Sequence, residues 1–351
     1  MSSSTSSSES WRTPAPIGFR LAAAALTAVI AVGLSELTVR ALGRQPFSYS
    51  NAVRTSPRMV DPDPVIGWTN RPGVYAYSPA ADGSHPIEVT VDPGGARRVA
   101  GASPAIYFLG GSLTFGFGVS DGETFPDVIA ARTERATVNL GSPGYGPVQA
   151  LRAFRRAMAD PREDARPAAV VYGLIAHHKK RAALDPTWIR NWDLLPPGFR
   201  DVRLPYARLG DRGEVIEFEP TRHTPWPLRH QSALIAMLEE RIIDLYWGIS
   251  EPEMDRTLVA VLAEIQRECE ARGARFLVAG LMMDDAESDR YAEGLSERGV
   301  RFVDCRHEHY RRTARSDEFI VPNDGHPNAV VHRHFADCIL REMSESLAPL
   351  R

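Results

Sequence analysis

The feature that most constrains the fold of this 351-residue chain is a series of short, continuously apolar segments separated by helical patterns. The apolar segments lie at 105–109, 136–140, 168–175, 274–280 and 301–304. The helical patterns lie at 123–134, 147–159, 228–247, 252–272, 285–298 and 328–347. Strands that are apolar throughout are buried on both faces, which is typical of a parallel sheet covered by helices on each side. The order of elements therefore predicts an α/β domain with a parallel sheet.

Composition and charge narrow the function classes. The chain is 43% hydrophobic and 24% charged, as globular proteins are. A net charge of -3 and the absence of a basic run with interleaved aromatics argue against a nucleic-acid partner. The three cysteines, Cys269, Cys305 and Cys338, are far apart and form no CxxC pair, so the spacing predicts three unpaired, buried thiols and no metal site. No cofactor is expected.

The N-terminal region predicts a membrane attachment. Residues 1–18 are rich in serine and are expected to be a disordered tail. Residues 19–43 are apolar, although the uninterrupted part, 21–34, is shorter than the roughly 20 residues that span a bilayer. A longer span includes Glu36 and Arg40. We predict a single-pass transmembrane signal anchor with the main domain extracytoplasmic; a cleaved signal peptide and a surface-lying or buried helix are the alternatives.

The rest of the chain divides by composition. Residues 44–103 are rich in Pro, Gly, Asp and Tyr and predict a small β-rich preface with strands at 73–78 and 86–91. The main domain is predicted to cover 104–351. Within it, 181–227 is rich in Trp, Pro and Arg, and it interrupts the alternation of strands and helices as an insertion.

Polar and glycine residues follow the predicted strands. They are Gly110, Gly111 and Ser112 after the first strand, Gly141, Gly144 and Gly146 after the second, His177 and His178 after the third, and Asp324 and His326 before the last helix. In an open parallel sheet, ligands bind outside the carboxyl ends of the strands. We therefore expect these loops to meet at one crevice.

These residue types suit acyl transfer. The hydroxyl of Ser112 needs a base to become nucleophilic, and His326 is the predicted base. Asp324 lies two residues earlier, so that in an extended segment its carboxylate points the same way as the imidazole and holds it. The backbone N–H groups of Ser112 and Gly144 are the predicted donors to the oxyanion.

Three segments resemble the conserved blocks of the SGNH hydrolases, also called the GDSL esterase/lipase superfamily. "FLGGSLTFG" is similar to the nucleophile block, "VNLGSPGYGPVQA" to the second block and "NDGHPNAVVH" to the block with the acid and base. The resemblance covers 104–347, and the apolar N-terminal segment resembles that of bacterial membrane-anchored members. It implies a flavodoxin-like three-layer α/β/α sandwich and the cleavage or transfer of esters through an acyl-serine, with Gly144 as an oxyanion donor.

The sequence departs from the family pattern at three places. Gly111 stands where the family has an aspartate. The spacing of acid and base is shortened to Asp324–Gly325–His326, with Asn323 at the usual acid position. The third block lacks its asparagine, and His177 falls at that position, so His177 is predicted to supply the third oxyanion donor.

The function predicted from these residues is that of a serine esterase acting on a small ester or an O-acylated carbohydrate. The alternatives are an O-acyltransferase for an exported or cell-surface polysaccharide and a non-catalytic carbohydrate-binding relative. His178, Trp188 and Trp192 are weaker predictions for substrate contacts; the tryptophans, with Trp226, either stack on sugar rings or pack the insertion on the core. The oligomeric state is left open.

Overall fold

A computed structural model describes residues 16–47, 59–78, 85–159, 167–191, 202–308, 317–322 and 324–346. Most of the predicted disordered tail, together with Trp192 and Asn323, lies outside the described residues.

The structure contains the predicted strands and helices, and it contains further elements that the sequence patterns do not predict. In the N-terminal part they are α1 (Ile17–Ala41), β1 (Val60–Asp63), β2 (Gly67–Asn70), β3 (Gly73–Tyr77), β4 (Ile87–Val91) and β5 (Arg97–Val99). The central part contains β6 (Ala102–Gly110), α2 (Ser112–Phe115), α3 (Phe125–Thr133), β7 (Arg135–Asn139), α4 (Pro147–Ala159), β8 (Pro167–Ile175), α5 (His178–Ala183), α6 (Pro186–Asn191), β9 (Leu204–Leu209) and β10 (Val215–Thr221). The C-terminal part contains α7 (Ala233–Trp247), α8 (Glu251–Glu270), β11 (Arg275–Met282), α9 (Asp285–Ser296), β12 (Phe302–Asp304) and α10 (Ala329–Ser346).

The chain forms two compact units, one made of residues 1–50 and 225–243 and the other of 51–224 and 244–351. The first unit contains α1, which starts two residues before the predicted span and ends two residues before its end. With a mean hydropathy of 2.0 over its most apolar window, α1 is long and apolar enough to cross a membrane. Its large apolar side chains from Ile17 to Leu37 are exposed, while Val39 is buried.

The second unit is organised around a mainly parallel sheet. Its strand order is β12-β11-β8-β6-β7-β5, with every neighbouring pair parallel except β5 with β7. Strand β6 is the first parallel strand in the sequence. The next strand, β7, lies on one side of it and the following strand, β8, lies on the other, so the strand order reverses at β6. In such sheets the crevice at the reversal point binds the ligand, so the loops after β6 and β7 are in the expected place for a site.

Helices cover both faces of this sheet. Along β6, Tyr107 and Leu109 point into one core with α4, α8 and α9, while Ile106 and Phe108 point into another with α3 and α10. Successive side chains of a strand point to opposite faces of the sheet, so consecutive residues of β6 enter the two cores alternately. The predicted three-layer α/β/α fold is confirmed.

The β-rich preface consists of two antiparallel pairs, β1 with β2 and β3 with β4. The two strands predicted for this region agree with β3 and β4 to within a residue or two. Val89 of β4 belongs to a small apolar cluster with Met59, Phe115 and Phe117. The preface therefore packs against the segment that immediately follows Ser112.

The insertion has more regular structure than its composition indicates. It contains α6 and the antiparallel hairpin of β9 and β10, which the sequence reading did not predict. The turn residue Gly213 has a φ of +79°, in the left-handed region that favours glycine. In β10, side chains of different exposure alternate, and Ile216 and Phe218 face outward. This strand pattern is short and is surrounded in the sequence by Trp, Pro and Arg residues, so it is hard to recognise there.

The prediction of three unpaired thiols is wrong for two of them. Cys305 and Cys338 form a disulfide with their Cα atoms 5.5 Å apart. Cys305 follows β12 and Cys338 lies on α10, which packs beside that edge of the sheet, so the fold joins two residues 33 positions apart. Cys269 is buried and free, as predicted.

Candidate active site

A sharp strand-to-helix turn places Ser112 at the end of β6. Gly110 has a φ of +149°, and a Cβ there would lie 2.3 Å from the Oγ1 atom of Thr114. A Cβ on Gly111 would lie 2.9 Å from the Nε2 atom of His178. Both positions therefore require glycine, which is the reason for the interruption of the apolar strand. Helix α2 begins directly at Ser112.

The structure brings Ser112, His326 and Asp324 together. The Oγ atom of Ser112 and the Nε2 atom of His326 are 2.9 Å apart, within hydrogen-bonding distance. On the other side of the ring, Nδ1 of His326 hydrogen-bonds to Oδ1 of Asp324. The three side chains are connected in the same order as the serine, histidine and aspartate of serine hydrolases.

The acid and base are held by a turn rather than by the extended segment that the sequence reading assumed. Oδ1 of Asp324 also accepts the backbone N–H of His326 at 3.1 Å, which closes an Asx turn. Gly325, between them, has a φ of +83°. The backbone N–H of Val321 donates to the carbonyl of His326 at 2.8 Å, which pins the turn. The short Asp–Gly–His spacing works because glycine permits this turn.

The acid is poised in its charged form. Burial by itself raises the pKa of Asp324, but the hydrogen bonds and charge of His326 outweigh it, so the pKa lies below the ordinary value. Phe117 packs against the imidazole of His326, with ring centroids 5.0 Å apart. The apolar ring fixes the orientation of the base on the side that the acid does not contact.

The loop after β7 stands next to the nucleophile. Asn139 donates from Nδ2 to the carbonyl of Thr114 at 2.7 Å, and its Oδ1 accepts the N–H of Gly141 at 3.0 Å, so one buried amide connects this loop to α2. Gly144 follows with a φ of +83°. Within the described residues, the backbone N–H groups of Ser112 and Gly144 donate to no other atom. Both predicted oxyanion donors are thus unengaged.

Arg97 is a positioning residue that the sequence reading missed. Its side chain is 3% exposed, and Nη1 donates to the carbonyl of Phe115 at 3.0 Å and to that of Gly116 at 3.2 Å. Asp121 accepts from Nη2 at 2.5 Å. The guanidinium therefore caps the C-terminal end of α2, where a cation is stabilising. The "GGARR" stretch gives no sequence signal for this role of Arg97.

The two histidines after β8 occupy different environments. His177 is the exposed N-cap of α5, and desolvation together with the cations of Arg181 and Lys180 lowers the pKa of its ring. His178 is fully buried; its Nδ1 lies 2.8 Å from the hydroxyl of Tyr172. Burial lowers the pKa of His178 well below its usual range, so this ring is neutral. His178 packs beneath the nucleophile turn and not at an open surface where a substrate contact was predicted.

Arg181 lies beside the same turn and forms no ion pair with any residue that the structure describes. Its Nη1 donates to the carbonyl of Tyr145 at 2.9 Å, and its guanidinium lies over the ring of Trp188 at 4.6 Å from the centroid. Desolvation lowers the pKa of Arg181 to about 10. Trp188 is therefore half-buried against a cation on one side, while Trp192 lies outside the described residues.

Serine hydrolases of several unrelated folds use the serine–histidine–aspartate arrangement that this structure shows at its strand ends. No family model and no curated protein matches the chain. The chain is similar in fold to a carbohydrate esterase family 2 enzyme with a carbohydrate-binding domain from Corynascus thermopiles, with 14% identity, a TM-score of 0.40 and coverage of 72% of this chain and 68% of that one.

Two further solved structures are similar to this chain. One is a member of the lipolytic G-D-S-L family from Veillonella parvula, with 12% identity, a TM-score of 0.35 and coverage of 69% of this chain and 99% of that one. The other is AlinE4, an SGNH-hydrolase family esterase, with 16% identity, a TM-score of 0.33 and coverage of 72% and 100%.

Proposed function

We propose that this protein is a serine esterase that cleaves its substrate through an acyl-serine on Ser112. The observation that carries the proposal is the continuous hydrogen-bonded path from Ser112 through His326 to Asp324. Acyl transfer also requires donors that stabilise the oxyanion. The backbone N–H groups of Ser112 and Gly144, which have no acceptor among the described residues, are proposed to be these donors.

The reaction proceeds in two balanced steps. The Oγ atom of Ser112 bonds to the carbonyl carbon while its proton moves to Nε2 of His326. The tetrahedral oxyanion is stabilised by the N–H groups of Ser112 and Gly144, and it collapses as His326 returns the proton to the departing alcohol. Water then attacks the acyl-serine with His326 again as base, releasing the acid and free Ser112. Asp324 remains charged and stabilises the imidazolium in both steps.

The third oxyanion donor is proposed to be His177, which can donate from either ring nitrogen that carries a proton. We expect His177→Ala to lower the turnover of a short-chain aryl ester by about 10²-fold, the lower end for the loss of one donor. His177→Asn should retain activity, because an amide N–H can replace the imidazole.

The measurement is a comparison of initial rates, with Lys180→Ala as the matched control because it lies on the same helix α5. Lys180→Ala should leave the rate within a few-fold of the parent. A silent His177→Ala variant would show that the third block has only a structural role.

The proposed substrate is an ester or an O-acylated carbohydrate. Trp188 supports the carbohydrate because its indole ring, which packs against the Arg181 guanidinium 4.6 Å from the ring centroid, is the kind of aromatic surface that stacks on a sugar face. A second candidate function, O-acyl transfer to an exported or cell-surface polysaccharide, is supported by α1, which is apolar enough to keep the enzyme at a membrane. The third is carbohydrate binding without catalysis.

The fate of a trapped acyl-serine separates these functions. Incubation with a short-chain aryl ester and intact-mass measurement should show an acyl adduct on Ser112. Release of free acid to water supports the esterase, and appearance of the acyl group on an added oligosaccharide supports the transferase. The absence of any adduct, with retained oligosaccharide binding, favours the non-catalytic function.

The topology is proposed to be that of a signal anchor, with residues 45–351 on the extracytoplasmic side. The disulfide of Cys305 with Cys338 supports this placement, because disulfides persist in oxidising compartments. We expect protease added to intact spheroplasts to digest the large domain and to leave a short protected fragment. Resistance until the membrane is disrupted would mean the opposite orientation, and release by a carbonate wash would mean that α1 does not span the membrane.

A further inference from the structure

We propose that helix α7 lies at the membrane–water interface, with its apolar face against the lipid. The inference rests on the proposed membrane span of α1, and the partner that it names is the bilayer surface. It concerns the end of α1 that carries Glu36 and Arg40.

The exposed face of α7 is apolar. Leu238 and Ile242 are 43% and 41% exposed, and Leu245 and Tyr246, further along the helix, are 79% and 78% exposed. At 100° per residue these four side chains lie within a single arc of about 100°, the width of an apolar stripe that covers a core. In the described part of the chain no protein segment covers them. An exposed apolar stripe of this kind on a helix marks a binding face.

The side of α7 that packs against its own unit carries two ion pairs. Glu239 is 1% exposed and lies 3.5 Å from Nη1 of Arg229, which is equally buried. Glu240 lies 3.3 Å from Nη1 of Arg44, which follows α1. The helix is therefore amphipathic, with its charged side towards its own unit and its apolar side outward. This is the arrangement of helices that lie in the plane of a membrane interface.

Glu36 attaches the start of α7 to α1. Its carboxylate accepts the backbone N–H groups of Ala233 and Leu234 at 3.0 and 2.8 Å, and the hydroxyl of Ser232 at 2.7 Å. A carboxylate at the N-terminus of a helix satisfies its free N–H groups and complements its dipole. The N-terminus of α7 is thereby fixed at the level of Glu36.

That level corresponds to the edge of the bilayer. A helix needs about 20 residues to cross the hydrocarbon core, and from Arg20 such a span reaches Arg40, so Glu36 lies about one helical turn inside the boundary. A bare carboxylate at this depth is costly, and charged groups in such segments pair with protein donors. Glu36 has four: the three of the α7 N-terminus and Nε of Arg40 at 2.6 Å. The contacts that satisfy Glu36 therefore also bring α7 to the lipid.

The depth of individual side chains tests the inference. Single cysteines are introduced into full-length protein carrying Cys269→Ala, labelled with a nitrobenzoxadiazole dye and reconstituted into phosphatidylcholine vesicles with or without doxyl-labelled lipid. The positions are Ile242→Cys on the apolar face, Asp244→Cys on another face of the same helix as the matched control, and Val29→Cys within α1. Leu238→Cys repeats the test if Ile242→Cys fails to fold, as judged by circular dichroism.

We expect the dye at Ile242→Cys to lose about half of its emission to the doxyl lipid, since interfacial helices bury their apolar face about 5–10 Å deep. The dye at Asp244→Cys should lose little. Quenching at Val29→Cys without quenching at Ile242→Cys overturns the inference and leaves the anchor intact. Equal quenching at Ile242→Cys and Asp244→Cys also overturns it. No quenching at Val29→Cys means that α1 does not span the bilayer, and both proposals then fail.

Discussion

Replacing Ser112 with alanine is expected to lower the turnover of a short-chain aryl ester by at least about 10⁴-fold, the scale on which serine hydrolases lose activity without their nucleophile. The reason is geometric. The Oγ atom of Ser112 is the group that Nε2 of His326 contacts at 2.9 Å, and without it no acyl-enzyme can form. The measurement is the initial rate of the full-length protein in detergent, together with its intact mass after treatment with a fluorophosphonate that labels activated serines.

The matched control is Ser288→Ala. Ser288 is 3% exposed, close to the 8% of Ser112, and it lies on α9 away from the triad. It should keep the parental rate and the fluorophosphonate adduct, whereas Ser112→Ala should lose both. Equal rates for Ser112→Ala and its parent would rule out the serine-esterase mechanism.

The position of the site could be predicted from the sequence because it depends on local rules. Apolar strands followed by glycines predict a parallel sheet with close approaches at its carboxyl edge, and that edge is where Ser112 and Gly144 lie. The pairing of Ser112 with His326, 214 residues apart, follows from the same rule. The main helices and sheet strands could be located because the helices repeat their apolar residues at helical spacing and the strands are short, continuously apolar runs.

Other features depend on packing that no local pattern records. Cys305 and Cys338 become neighbours only when α10 packs beside the sheet edge, so counting and spacing cysteines predicted free thiols. Arg97 acts on α2 through carbonyls that are 18 and 19 residues away in sequence. The sequence Asp324–Gly325–His326 is compatible with an extended segment as well as with the observed turn. The two conformations differ only in their backbone angles, such as the positive φ of Gly325.

The loop after β8 shows a similar limit at a single residue. Sequence reading aligned His177 with the missing asparagine and treated His178 as a weaker substrate contact. In the structure the two neighbours diverge, one exposed at the start of α5 and the other buried against Tyr172. Burial decides which of two adjacent identical residues meets the solvent, and burial is set by the register of the helix that begins there.

The second large effect concerns Ser112, His326 and Asp324 as one unit. We expect His326→Ala to reduce turnover by about 10⁴-fold or more, and Asp324→Asn by about 10⁴-fold, because the base is lost in the first variant and wrongly oriented in the second. Ser112→Ala combined with His326→Ala should be no slower than the worse single variant. The backbone N–H donors remain in the single variants and in the double variant, so all of these variants should keep the same residual rate.

Asp324 gives this prediction a second readout, in stability. Because the hydrogen bonds from His326 hold the folded pKa of Asp324 below its ordinary value, the charged carboxylate stabilises the fold at higher pH, and this contribution is lost as the pH falls through the folded pKa. Asp324→Asn should therefore unfold more easily than the parent at neutral pH, with the difference shrinking in acid. Chemical denaturation of Asp324→Asn and its parent, at neutral and at acidic pH, measures the difference in their free energies of unfolding.

Additivity decides whether the three residues act together. If serine and histidine served separate steps, the double variant would be slower by the product of the two single losses. If they share one proton transfer along the 2.9 Å contact, the first substitution already abolishes the rate enhancement that depends on it. The second substitution then causes no further loss. Multiplicative losses would therefore contradict the triad, even if each single variant were inactive. Unchanged fluorophosphonate labelling of Ser112 in His326→Ala would contradict it too, since an unassisted hydroxyl reacts slowly.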